Sequence, residues 1–288
     1  MVRAPFCVEH GMAISPLQRL VEAANTDPRI FFVMLVDNYR SHPDIVHVVN
    51  VQYNDKLIAC TPKPVLPNAP AAVFLSHSSP ESREADSPSW MNYHEAHMVV
   101  HAALDLVRVQ KVAPKDIAVL SPYRKQVQKI AQIFYFEAKN DTALQMTDGK
   151  GKMACAIQVR TVEMFQGRES PVVLLSTVRN RPTDDEIRTD RRFGIGFLKQ
   201  PQRSNVAVSR AQHVMMIFGN ADLLRLDPLW AAYVERIRAS GGVWQAADGQ
   251  AAPWVPSDHP RRELLEDNAN EAERLNAVHE DLPFRREH

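Results

Sequence analysis

RSNVAVSRA, residues 203–211, runs without a break into QHVMMIFG, residues 212–219. The first segment has the small and polar residues of a short helix, and the second is a near-continuous apolar run of the kind buried on both faces of a parallel sheet. An arginine at such a junction, Arg210, is held by regular backbone on both sides, which suits a guanidinium offered to a phosphate at fixed geometry. The plain alternative is an amphipathic helix whose Arg203 and Arg210 lie in water. The surrounding chain decides between them.

Upstream, apolar strands alternate with helical patterns. Ser15 and Pro16 suit the N-cap and first turn of a helix over LQRLVEAA, and RIFFVMLVDNYR, residues 29–40, reads as a buried strand presenting Asn38, Tyr39 and Arg40 at its end. Pro43 opens a helix with Ile45, Val48, Val49 and Tyr53 at helical spacing. AAVFLSH is a second strand, Asn92 caps a long helix from Tyr93, DIAVLSPYR is a third strand, and KQVQKIAQIFYFEAKN leaves it as a helix. NDTALQMTDGKGKMA reads as loop. AIQVRTVEMF and SPVVLLSTVR follow as strands, then the charged stretch NRPTDDEIRTDRRFG, and WAAYVERIR forms the last helix, with Trp230, Val234 and Ile237 on one side. Strand–helix alternation of this kind implies a mostly parallel sheet covered on both faces. Ligands of such sheets usually bind beyond the carboxyl ends of the strands, where Tyr39, Arg40, Ser121 to Arg124, Thr161 to Glu169 and Arg179 are expected.

The helix from Tyr93 carries His94, His97 and His101, which invite a metal reading. Its apolar stripe of Ala96, Val100, Ala103 and Val107 instead places the histidines, Asp105 and Arg108 on a solvated face, and HExxH is missing, so no metal site is expected.

Of 288 residues, 45% are hydrophobic and 24% charged, which is enough apolar content for a real core. No apolar run reaches the length of a membrane span, and MVRAPFCVEHGM lacks the layout of a signal peptide, so no membrane partner and a cytoplasmic or nuclear location are expected. Cys7, Cys60 and Cys155 are too dispersed for a disulfide framework or a metal knuckle. Net charge is zero, yet residues 258–288 hold nine acids against five bases, leaving 25 acids and 29 bases in the body. A local phosphate track is therefore permitted without being required.

NYRSHP, SPYRKQ, TVEMFQGRE with STVR, and GFLKQPQRSNVAVSRA stand in that order, and together they resemble the C-terminal motor motifs of superfamily 1B helicases, the group of the nonsense-mediated-decay helicase. VRAPFCVEHGMAISPLQRL, SPSWMNYHEA and DPLWAAYVERIRASGG add a finer resemblance to the Armitage-type RNA helicases of RNA silencing. The resemblance implies a RecA-like, P-loop-NTPase-type α/β lobe over residues 30–245, preceded by a linker and helix (1–29) and followed by a charged, weakly ordered tail (246–288). In that family ATP lies between two RecA-like lobes and RNA crosses both.

By that resemblance Arg40 and Arg210 reach across the cleft to the γ-phosphate, and Glu169, Gln166, Gly167 and Tyr39 surround the nucleotide. Thr161 with Ser121, Pro122, Tyr123 and Arg124 would meet the RNA backbone without reading bases. Ordinary surface pairing for Arg40, Arg210 and Glu169, and turn-closing roles for Ser121 and Thr161, are the plain alternatives. There is no GxxxxGK[ST]: GKGK at residues 149–152 has the wrong spacing, and the Asp184–Glu186 acids follow no apolar strand. ATP and Mg²⁺ would therefore be held by a first lobe outside this sequence, with Met1 falling just after that lobe's end, and the chain alone is not expected to hydrolyse ATP. Expected partners are that lobe, single-stranded RNA or a duplex with a single-stranded end, and RNA-silencing factors. A non-catalytic RNA- or helicase-binding module, and a lobe of a DNA helicase, are the competing functions.

Overall fold

The computed structural model describes residues 5–245, apart from 13, 62, 64–65, 67–68, 84–88, 148–152 and 181–199. The charged stretch after Arg179 and the tail from residue 246 thus lie almost wholly outside the described residues. The chain divides into two units, Met1–Asp37 and Asn38–His288.

In the first unit a helix spans Pro16–Ala24, with the Ser15 side chain accepting from the Gln18 amide at 3.1 Å and Pro16 in the first turn, as its sequence predicts. The strand expected over RIFFVMLVDNYR forms only at Asp37–Asn38: residues 31–36 have no regular structure, and Phe31, Phe32, Val33 and Leu35 are 91%, 53%, 65% and 86% exposed. An apolar run becomes a buried strand only where a neighbouring strand pairs its backbone and a second layer covers its side chains. Composition announces neither condition.

The second unit is built on a six-stranded sheet. Its strands are β1 (Ala72–Ser76), β2 (Ile117–Ser121), β3 (Gln158–Thr161), β4 (Ser170–Ser176), β5 (Ala211–Gly219) and β6 (Val243–Gln245), in the order β6-β1-β5-β4-β2-β3. Every neighbouring pair is parallel. β6 occupies the last residues of the expected lobe, where the sequence pattern predicts no strand. It joins the edge because Gly242, with no side chain, lets its carbonyl accept from the Phe74 amide at 2.7 Å; a Cβ there would sit 2.2 Å from the Ala72 carbonyl oxygen.

The alternation along each strand sends its residues to two cores. Phe74, Leu120, Val173, Leu175, Met215 and Ile217 pack against α1 (Pro43–Val49), α4 (Pro201–Val208) and α5 (Pro228–Ala239). Val73, Val119, Leu174, Val214, Met216 and Phe218 pack against α2 (Tyr93–Arg108) and α3 (Arg124–Asn140). This is a parallel sheet flanked by helices on both faces, the expected RecA-like α/β class. Trp230 and Tyr233 of α5 are fully buried with ring centroids 5.5 Å apart, and the Trp230 indole N–H donates to Ser204 Oγ at 3.2 Å. That bond fixes α4, and with it the position of Arg210.

Two local readings need correction. The loop after α3 contains a short antiparallel pairing of Gln145–Thr147 with Met153–Cys155. The face of α2 opposite its apolar stripe is only partly solvated: Asp105 is 7% exposed, and burial lowers the His97 pKa to about 4. α3 lies alongside α2 and covers that flank, with Lys129 stacked on the Tyr93 ring and Arg108 bridging Asp141 at 2.8 Å. A single helix's periodicity shows one buried stripe and cannot reveal a second helix beside it.

Candidate functional site

The motif residues separate into two groups at opposite ends of the sheet. Ser170 of β4 lies beside Ala211 of β5, so Glu169 and Arg210 immediately precede the amino ends of their strands. Arg40 joins them because Ser41 Oγ donates to the Ala211 carbonyl at 2.7 Å and the His42 amide donates to the Gln212 carbonyl at 2.8 Å. The bend that makes this docking possible comes from Asn38, whose side-chain oxygen accepts from the Arg40 and Ser41 amides at 3.0 and 2.9 Å. The rule that ligands sit at carboxyl ends therefore misplaces Arg40 and Glu169, because it ignores residues arriving from outside the sheet and residues just before a strand.

Within this group the Arg40 Nε–H donates to Glu169 Oε2, and its NH1 donates to the Ser209 carbonyl at 3.3 Å. The second Glu169 oxygen accepts from Gln212 Nε2 at 2.8 Å, and the Arg40 guanidinium holds the Glu169 carboxyl below the usual range. Arg210 is half-buried. Its Nε donates to the Val206 carbonyl at 3.0 Å and its NH2 to Ser209 Oγ at 2.8 Å, while NH1 points to the Arg168 carbonyl at 3.4 Å. Burial, then the neighbouring Arg40, push its pKa down, although a guanidinium stays charged at any physiological pH. Two cations and one carboxylate converge here, an arrangement able to receive phosphate oxygens on the arginines and a hydroxyl on Glu169.

Tyr39 is 65% exposed beside this group, so it is not a core tyrosine. Gln166 is exposed at the end of a short 3-10 turn (Glu163–Phe165), and Gly167 follows with φ +79°. A Cβ on Gly167 would meet nothing within 4 Å, so glycine is required there by the backbone and not by close approach. Gln212 and Ser209 are members of the group that motif reading missed; their position beside Arg210 at a strand start was the available signal.

The second group is at the carboxyl ends. Ser121 of β2 lies directly beside Thr161 of β3. Ser121 is fully buried and its Oγ lies 3.4 Å from the Tyr123 amide; Thr161 Oγ1 lies 3.4 Å from the Met164 amide. Pro122 is buried, Tyr123 is half-buried as the N-cap residue of α3, and Arg124 is exposed. The sheet brings these residues together, with their hydroxyls turned toward their own turns.

Behind them is a buried polar cluster that no sequence motif announces. Glu95, fully buried, accepts from Ser176 Oγ at 2.5 Å and the Val178 amide at 2.9 Å, with His77 Nε2 at 2.9 Å. Asn180 Nδ2 lies 2.7 Å from His77 Nδ1, so Nδ1 is the acceptor and the Nε2–H donates to Glu95. Gln126 Nε2 bonds Ser176 Oγ at 3.0 Å and the Asn92 carbonyl at 3.1 Å. The cluster ties the ends of β1 and β4 to α2 and α3 and holds Val178 at φ +72°, an unfavourable backbone for a β-branched residue.

A parallel sheet wrapped on both faces by helices is the RecA-like α/β fold. The chain belongs to the family described as an AAA domain, whose pattern matches residues 12–222. It is 33% identical over 265 residues to the protein named "Putative helicase mov-10-B.1" of Danio rerio, covering 81% of this chain and 24% of that one. It is 32% identical over 273 residues to the RNA helicase Mov10l1 of Mus musculus (86% and 21% covered) and 31% identical over 239 residues to the protein named "Probable RNA helicase armi" of Drosophila melanogaster (74% and 18%). The chain thus spans about a quarter or less of the length of these relatives. Among solved structures, the C-terminal domain of a possible DNA helicase from Lactobacillus plantarum WCFS1 aligns with TM-score 0.41 and 12% identity, over 73% of this chain and 99% of that one. The resemblance to the C-terminal lobe of superfamily 1 helicases of the Armitage type stands, and the chain is a helicase lobe.

Proposed function

We propose that this lobe is the C-terminal half of an ATP-dependent, 5′-to-3′ RNA helicase motor. In this reading a first lobe holds ATP and Mg²⁺, and this one completes the cleft with Arg40 and Arg210. The observation that carries it is the convergence of those two arginines with Glu169 at the amino ends of β4 and β5, from segments far apart in sequence. Positive charge placed there stabilises charge developing on a transferred phosphoryl group, a contribution worth about 10³–10⁵ in kcat where arginine fingers have been removed. Glu169 takes a ribose hydroxyl, Tyr39 lies against the base, and Gln166 and Gly167 shape the approach.

RNA runs past the opposite, carboxyl end. With the Ser121 hydroxyl buried, contact with the sugar-phosphate backbone falls to Arg124, Tyr123 and Thr161. The names of the relatives support RNA over DNA; a place in RNA silencing, in the cytoplasm or nucleus, rests on the family resemblance alone.

The test joins the chain to a first lobe carrying GxxxxGK[ST] and measures RNA-stimulated ATP hydrolysis. The chain alone gives background turnover. In the joined protein Arg210→Ala lowers kcat at least about a thousandfold while leaving ATP affinity within a few-fold, since its contact is made chiefly in the transition state. A joined Arg210→Ala protein with the parent kcat removes Arg210 from the site.

A further inference from the structure

We infer that Glu169 is an internal stand-in for phosphate: it stows Arg40 when no nucleotide is present and releases it when a polyphosphate arrives. This rests on the reading of Arg40 as a phosphate-binding residue. Arg40 meets a carboxylate oxygen through Nε and the Ser209 carbonyl through NH1, contacts that occupy the guanidinium on its own lobe. Glu169 is in turn braced from behind by Gln212, at 2.8 Å from its other oxygen, so the acceptor keeps its place whether or not Arg40 is on it.

The pair is poised for exchange because it is not buried. The Arg40 and Glu169 side chains are 38% and 42% exposed, and an ion pair so open to water shifts an equilibrium by no more than about fivefold. A phosphate chain, with several charged oxygens and room for paired guanidinium bonds, outcompetes a single carboxylate of that strength. Once Arg40 leaves, Glu169 still has Gln212 and gains an open lone pair. A sugar hydroxyl is the neutral donor that satisfies it without drawing Arg40 back. Loading the phosphates and seating the sugar of a nucleoside triphosphate thereby become one event at this site.

The inference is tested on the full chain by titrating inorganic tripolyphosphate at low salt and following ¹⁵N chemical shifts, which reach millimolar affinities. Four proteins form a cycle: the parent, Glu169→Ala, Arg40→Ala and the double variant, each checked for unchanged thermal unfolding. Glu169→Ala is expected to bind about two- to fivefold more tightly than the parent, Arg40→Ala more weakly, and the gain from Glu169→Ala should vanish in the Arg40→Ala background. If Arg40→Ala weakens binding but Glu169→Ala leaves it unchanged, stowage is overturned and the phosphate role of Arg40 survives. If the Glu169→Ala gain persists without Arg40, it is a general field effect and stowage is likewise overturned. Binding indifferent to Arg40 overturns both.

Discussion

Replacing Glu95 by leucine tests whether the buried polar cluster holds the carboxyl ends of the sheet in place. The carboxylate accepts from Ser176 Oγ and the Val178 amide and meets the His77 Nε2–H, and neither it nor its partners can turn to water. Leucine matches the volume without any acceptor, so three buried donors lose a partner at about 1–3 kcal/mol each. Ser176 can turn its hydroxyl elsewhere, and part of the loss is recovered by apolar burial, which leaves a net cost of about 4 kcal/mol. Urea unfolding of the full chain, followed by circular dichroism, measures this directly. Ser176→Ala alone should cost about 1 kcal/mol, but combined with Glu95→Leu the total should be about 1 kcal/mol less than the sum, because the bond it donates to Glu95 is already gone. A Glu95→Leu cost below about 1 kcal/mol, or strict additivity with Ser176→Ala, would refute the view that the cluster is a fully engaged network.

Two further outcomes are expected. His97 has its pKa lowered to about 4 by burial, so protons bind the unfolded chain more readily, and its share of stability is present above about pH 6.5 and lost as pH falls toward 4. Allowing for partial exposure this amounts to about 2 kcal/mol, and the stability of His97→Leu should fall less than the parent's between those pH values in paired urea melts. Gly167→Ala should cost about 1 kcal/mol from the φ of +79° alone, since an added methyl meets nothing; a cost above about 3 kcal/mol in the same assay would mean that a steric contact had been overlooked.

Much of this fold was legible in order along the chain, because its signals are local. Ser15, Asn92 and Pro43 mark helix starts by chemistry that acts within one turn, and the apolar runs of β1, β2, β4 and β5 report burial on both faces. The motif residues of both groups were visible for the same reason: NYRSHP and VSRA are short, and each carries its own turn or cap.

The long-range features come from tertiary structure. That Arg40, Glu169 and Arg210 meet at the amino ends of the strands, while Ser121 and Thr161 stand side by side at the carboxyl ends, follows from strand direction and from crossovers joining segments distant in sequence. The failure of residues 31–36 to form a strand, the added edge strand β6, the second covered flank of α2 and the Glu95 cluster have the same origin. Which residues seek burial, which cap helices and which family of motifs they compose can be read along the chain. Tertiary structure alone set which of them share an end of the sheet, because backbone pairing and coverage depend on neighbours that no local pattern specifies.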